Sequence, residues 1–366
     1  MTYYRLAPLS IVLYGIILLS CENETNQPGE DIYIPDEQFK VVGYLPRNAF
    51  NKINELELDR LTYLNLAFAN PDQQGNLVFD GQMDIRPVVN KGHDHGLKVF
   101  VSLAGGGQPD KAAWKSALDS ANRTEFISNI ISFVERNNLD GVDVDIEWNL
   151  LPTIGNLYTP FVVELRTALH GKGKGITTAL GASGLHEAVT QQSLENYDFI
   201  NVMVYDKTGV WRPEDIGPHS PYSYVEEAIA YWTGVRKIPP ERLVLGVPFY
   251  GYDFAPPAHY ISYGELIEED PVNAYRDSVD LKYFNGIPTI VNKAALAKKE
   301  LGGIMIWAIS HDAPGDMSLL RAIDQTLSAG DCEVSIFYKD EDGDGLGDPR
   351  KPFHACTAPE QYVTDL

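Results

Sequence analysis

The stretch from Leu139 to Trp148 reads Leu-Asp-Gly-Val-Asp-Val-Asp-Ile-Glu-Trp, and it limits what this chain can fold into more than any other. Val142, Val144 and Ile146 alternate with Asp143, Asp145 and Glu147, which is the period of a β-strand with one apolar and one acidic face. A strand of this kind ordinarily turns its polar face to water. Here an amphipathic helical pattern precedes it (Phe126, Ile127, Ile130, Ile131, Val134) and another follows (Phe161, Leu165, Leu169). That context makes it a parallel strand in a β–α alternation with both faces covered, so the acids point into a barrel or a cleft. Alternate side chains on one strand face stand roughly 6.5 Å apart at Cα, close enough for carboxylates to share protons. Like charges at that spacing in a poorly hydrated site do not all ionise. At least one acid then keeps its proton near neutral pH and can act as a general acid. Three buried carboxylates are too costly to be kept as packing alone.

Strand-like runs recur along the rest of the chain, at 39–43, 61–67, 97–103, 141–147, 176–180, 199–205, 243–248 and 303–307, with helical patterns between them. Eight such units ending in Gly, Pro and Asn predict a (β/α)8 TIM barrel with its active site at the strand C-termini. An open doubly wound sheet explains the alternation equally well. It does not explain why polar and aromatic residues collect at those ends: Tyr44, Phe68, Asn70, Ser102, Gly105, Met203, Tyr205, Asp206, Tyr250 and Trp307.

The run Asp140-x-x-Asp143-x-Asp145-x-Glu147 resembles the signature of the glycoside hydrolase family 18 chitinases, a (β/α)8-barrel family. Other segments match as well. Ser102-Leu103-Ala104-Gly105-Gly106 resembles the Ser-x-Gly-Gly turn of the third strand, with Ala104 where the first glycine usually stands. Met203-Val204-Tyr205-Asp206 resembles the Met-x-Tyr-Asp segment, whose tyrosine and aspartate contact the substrate's acetamido group. Gly246 to Gly251 and Tyr283 to Ile290 also match, and Trp307 falls where the family places the tryptophan under the sugar at the cleavage subsite. The resemblance runs from about Lys40 to Leu327.

It implies endo-acting hydrolysis of β-1,4-linked N-acetylglucosamine polymers, chitin and its oligosaccharides, by a retaining, substrate-assisted route. Glu147 is then the general acid and base, Asp145 the group that orients the acetamido substituent, Asp143 its proton partner and Tyr205 a further catalytic contact. Tyr44, Phe68, Ser102, Gly105, Met203, Asp206, Tyr250 and Trp307 are expected to bind substrate, and catalysis needs no cofactor. The family also contains endo-β-N-acetylglucosaminidases acting on N-glycans, and lectin-like members without the glutamate; a catalytically silent glycan-binding lipoprotein is the corresponding alternative here. Too few residues separate the seventh strand from its helix for the full α+β insertion of many relatives. The acidic stretch from Asp253 to Asp280 is expected to form loops and short elements beside an open cleft.

The formal charge of −22 argues against nucleic acid and anionic membranes as partners, whereas an uncharged glycan is indifferent to it. Residues 1–21 have the layout of a secretory signal, an apolar run from Leu6 to Leu19 behind Arg5. The run closes on Leu18-Leu19-Ser20-Cys21, which resembles a bacterial lipobox. The expectation is an exported, membrane-anchored bacterial lipoprotein, the cell surface being one such location, with Cys21 lipidated and 22–37 a flexible acidic linker. The hydrolase domain is expected over 38–330, and contact with the membrane only through the anchor. The last segment, 331–366, carries aspartates around glycines: Asp340, Asp342, Asp344 and Asp348. Oxygen ligands so spaced suit Ca²⁺, and the run resembles the calcium loops of EF-hands and thrombospondin type 3 repeats, though without the EF-hand's distal glutamate; a solvated acidic linker is the alternative. Cys332 and Cys356 flank it and are expected to pair. His93 and His95 suit an exposed loop ahead of the third strand better than a metal site, and His311 and Asp312 follow the eighth strand on the catalytic side.

Overall fold

The structure, a computed structural model, describes Met1 and residues 33–79, 83–330, 335–355, 358 and 361–365. Cys21, Cys332 and Cys356 lie outside the described residues. Contacts divide the chain into a unit from Met1 to Glu30 and a second from Asp31 to Leu366; the second contains everything below.

Eight parallel strands form the centre: β1 Lys40–Pro46, β2 Tyr63–Pro71, β3 Lys98–Ala104, β4 Gly141–Asp145, β5 Gly175–Gly181, β6 Phe199–Met203, β7 Leu243–Pro248 and β8 Gly303–Trp307. Each pairs with its sequence neighbours, and β1 pairs with both β2 (Val42 opposite Tyr63) and β8 (Lys40 opposite Gly303), which closes the ring. The open-sheet alternative is thereby excluded. Closure divides the alternating side chains into two populations. Val142, Val144 and Ile146 join the large apolar layer between strands and helices, while Val42, Tyr63, Phe100, Phe199 and Met305 fill the barrel from within. Asp143 and Asp145 take the inward positions on β4.

Four expectations about elements need correction. β2 runs to Pro71 and not to 67, so Phe68 and Asn70 lie inside the strand, and its register against β3 shifts between Ala67 and Ala69. That bulge turns Phe68 toward the barrel mouth. β4 ends at Asp145, which leaves Glu147 in the turn beyond it; Leu150 and Leu151 donate their amides to the Glu147 carbonyl at 3.0 and 2.9 Å. β6 likewise stops at Met203 and leaves Tyr205 past its end. His93 lies in the helix Arg86–Asp94, where its Nε2 meets Asp140 at 2.8 Å.

Between β7 and its helix Ile287–Glu300 the chain forms loops and short elements, and the short strands associate. Strands Tyr250–Asp253, His259–Ser262, Ser278–Val279 and Lys282–Tyr283 make a four-stranded sheet backed by the helix Tyr263–Glu269, which starts on a reciprocal Ser262–Glu265 capping box. At the C-terminus Ser335–Lys339, Asp348–Ala355 and Tyr362–Val363 form a three-stranded sheet, and Tyr338 packs edge-on against Tyr275 at 5.6 Å.

Candidate active site

Asp143 sits one layer below the barrel mouth and is completely buried. Three hydroxyls converge on its carboxylate at 2.7 Å: Tyr44 and Ser102 donate to Oδ2 and Thr177 to Oδ1. The Asn201 amide adds a longer bond at 3.4 Å. Burial raises the Asp143 pKa, and these donors pull it back. Ser102 and Gly105, expected at the substrate, do not border the cleft. Ser102 is fully buried as a partner of Asp143. Gly105 forms a left-handed turn at φ 79° directly beneath the Phe68 ring, which a Cβ there would strike at 2.4 Å.

Asp145 is the next inward residue on β4, and its Oδ1 has no hydrogen-bond partner among the described residues. Burial raises its pKa well above the ordinary aspartate range, and the charges of Glu147 and Asp143 raise it further. The Glu147 carboxyl, above it, is pushed up to about 7, first by burial and then by the nearby charge of Asp206. One acid in the column is saturated with donors and two hold protons toward neutrality, which is the division of roles that general acid catalysis uses.

Asp206 follows β6 with a left-handed backbone, φ 61°. Its Oδ1 accepts hydrogen bonds from the hydroxyls of Tyr250 and Tyr252, the latter at 2.9 Å. Tyr205 is buried beside it, with its hydroxyl toward Met305 Sδ at 3.8 Å. Across the mouth, Trp307 at the end of β8 stacks on Phe68 with centroids 5.5 Å apart and planes at 16°, and Tyr44 packs against it at 5.7 Å. These groups border an open cleft of about 1490 Å³, together with Met203 and the exposed indoles of Trp148 and Trp211. That volume exceeds the ~300–1,000 Å³ of ordinary small-ligand pockets and suits a chain of sugar rings.

Several residues at the site were not singled out from the sequence. Thr177 and Asn201 are polar interruptions in otherwise apolar strands, and that interruption was their only signal. Tyr252 sits two residues after Tyr250, on the same strand face. Gly106 has a Cβ direction ending 2.7 Å from Glu147 Oε1, so only glycine leaves the acid its place. Of the two residues that follow the eighth strand, His311 meets the Tyr260 hydroxyl at 2.7 Å with its pKa lowered to about 4 by burial. Asp312 is occupied within its own loop, accepting the amides of Leu319 and Leu320 and the Ser318 hydroxyl.

In the C-terminal sheet the carboxylates of Asp340, Asp342 and Asp344 each offer an oxygen within 4.8 Å of the others. Asp348 is not in that group; it opens the strand Asp348–Ala355. The same carboxylates accept backbone amides of their own loop, Asp340 from Gly343 and Gly345 and Asp344 from Leu346.

The model of the glycosyl hydrolases family 18 matches residues 40–312, which include all eight barrel strands. The chain belongs to glycoside hydrolase family 18. Its barrel superposes on the crystal structure of the GH18 chitinase ChiB from the chitin utilization locus of Flavobacterium johnsoniae with a TM-score of 0.76 and 40% identity, over 80% of this chain and 95% of that one. A chitinase from Bacteroides thetaiotaomicron superposes with a TM-score of 0.72 at 26% identity, over 80% and 97%. Among curated relatives, Probable chitinase 2 of Drosophila melanogaster is 26% identical over 339 residues, 74% of this chain and 70% of that protein. A chitinase-like effector of Moniliophthora perniciosa is 29% identical over 247 residues, of which this chain spans only 53% of the length. Family membership and these neighbours make the chain a chitinase-type glycoside hydrolase.

Proposed function

We propose that this family 18 chain hydrolyses β-1,4-linked N-acetylglucosamine polymers, chitin and chitooligosaccharides, by endo cleavage with retention of configuration. The observation that carries the reading is the paired environment of Glu147 and Asp145. One carboxyl holds its proton up to about 7 at the edge of a long cleft, and the carboxyl beneath it is buried with an oxygen that no described residue satisfies. The first suits proton donation to a glycosidic oxygen. The second suits a polar hydrogen that only substrate brings, such as the N–H of a 2-acetamido group.

With a sugar over Trp307, Glu147 gives its proton to the bridging oxygen as the C1–O bond breaks. The electron pair that refills C1 comes from the acetamido carbonyl oxygen of the same ring, which closes onto C1 as a cyclic oxazolinium ion while the leaving chain departs as an alcohol. Asp145 accepts a hydrogen bond from the acetamido N–H and balances the developing positive charge, and the hydroxyl-bound Asp143 below takes up its proton. Tyr205 and Asp206 complete the surroundings of the acetamido group, with the Tyr205 hydroxyl as the donor to its carbonyl. Glu147, now a carboxylate, deprotonates a water that attacks C1 from the face the leaving chain vacated, reopens the ring and returns the proton to Glu147. Two inversions leave the β-anomer. The step needs the N-acetyl group and no metal.

Proton NMR of product fresh from N-acetylchitohexaose should show the β-anomer first, and a fully deacetylated polymer should not be cleaved. An α-anomer as first product, or brisk cleavage of deacetylated polymer, removes the acetamido nucleophile and Asp145's role. Release of high-mannose glycan from a glycopeptide, with chitin oligomers untouched, moves the substrate to N-glycans.

A further inference from the structure

The helix Ile287–Glu300 buries a lysine that the chemistry above does not use. Lys293 is wholly inaccessible, and among the described residues no carboxylate contacts its ammonium directly, although the charge of Asp277 acts on it and favours the charged form. Its Nζ donates instead to three neutral acceptors: the Ser220 carbonyl and Ser220 Oγ, both at 2.7 Å, and Asn285 Oδ1 at 2.8 Å. Burial lowers its pKa to about 7, which measures how costly an ammonium is at this position.

The three acceptors come from two separate stretches, and each leads to Asp206. Ser220 Oγ donates to the Val204 carbonyl, two residues before Asp206. His219, immediately before Ser220 and 1% exposed, donates Nε2 to the Tyr250 carbonyl at 3.2 Å, accepts the Asp206 amide at Nδ1 at 3.5 Å, and takes the Lys207 amide on its own carbonyl at 2.9 Å. On the other side, Asn285 lies two residues beyond Tyr283, which pairs in register with Tyr252. Tyr252 and Tyr250 are the residues whose hydroxyls hold the Asp206 carboxylate. One ammonium thus ties the returning end of the loop 207–219 to the strand that supplies the tyrosine donors. Asp206 stands between them, in a left-handed backbone conformation at φ 61° that aspartate adopts more readily than most residues.

We propose that Lys293 is a positioning residue for Asp206, acting through Ser220 and His219 on one side and Asn285 on the other. The inference rests on the reading of Asp206 as a substrate contact. Its consequence is that a side chain deep in a barrel helix sets both substrate engagement and, because the Asp206 charge helps to keep the Glu147 proton in place, the alkaline limit of activity.

The test compares the parent, Lys293→Met, Ser220→Ala, Asp206→Asn and the double variant Lys293→Met/Asp206→Asn. With N-acetylchitotetraose, Lys293→Met should lower kcat/KM about tenfold and move its alkaline limb to lower pH. In the Asp206→Asn background the same change should cost less than about twofold, since residues acting as a unit are not additive. Ser220→Ala should move both readouts in the same direction by less, and it carries the test if Lys293→Met does not fold. Independent of turnover, hydrogen–deuterium exchange should speed up over residues 204–220 in Lys293→Met and stay unchanged over β4. Additive losses in the double variant, an unmoved pH limb, or parental exchange over 204–220 would each reduce Lys293 to packing. A parent that does not cleave the oligomer overturns the functional reading instead, and the exchange comparison still decides Lys293.

Discussion

Glu147→Gln keeps the shape of the acid and loses its proton. Turnover of chitin oligomers should fall by more than about a thousandfold while oligosaccharide affinity by calorimetry stays near the parent; residual activity within tenfold would take Glu147 out of the acid role. The same variant has a stability signature. The folded chain holds the Glu147 proton up to about 7, the unfolded chain releases it near 4.5, so between those values the folded state carries more protons and stability falls as pH rises. Glu147→Gln should flatten that decline, with a higher Tm than the parent at pH 8 and little difference at pH 4. Gly106→Ala tests position alone. The new Cβ displaces a flexible carboxyl and not backbone, so Tm should hold while kcat drops roughly a hundredfold, the usual effect of moving a catalytic group by about 1 Å. At this scale the acids on β4 were legible because a two-residue period inside a β–α context has one reading. The depth of Ser102, one layer down on Asp143, was not legible, because alternation tells which way a side chain points and not how deep it lies. Lys293 was invisible, since a lysine among alanines in a helix reads as a solvated face.

The ends of the strands were harder to read than their centres. Hydrophobic runs located all eight strands, but a bulge has no composition of its own, so the extension of β2 past Phe68 could not be read, and the turn after β4 that lifts Glu147 clear of the sheet was absorbed into the strand. That the insertion holds short elements was legible, but not their pairing into one sheet, for a related reason: strands of two to four residues are too short for a period to show. The exit of β3 offers a direct test of element design. Ala104 adopts φ 71°, left-handed geometry that costs a residue with a Cβ roughly 1–2 kcal/mol. Ala104→Gly relieves it, less the freedom glycine adds to the unfolded chain, so denaturant melts should show a net gain of about 0.5–1 kcal/mol. A loss of stability would mean that the Ala104 methyl packs more favourably than its backbone is strained.

At the scale of the molecule, a charge of −22 on a chain whose proposed substrate is neutral makes electrostatics an off-axis influence. KM for N-acetylated oligomers should be nearly independent of salt from 20 to 500 mM, whereas association with cationic, deacetylated polymer should weaken steeply over the same range, as screening predicts. A strong salt dependence with neutral oligomers would show that charged groups in the cleft contribute directly to sugar binding. Ring closure has a consequence on another clock. β1 waits for β8: Tyr44 meets Trp307 across a seam whose two sides are separated by nearly the whole barrel sequence. On the ribosome, then, the acids of β4 emerge long before the floor they work above. A nascent chain carries its proton donor without a cleft to use it in until the last barrel strand has left the exit tunnel.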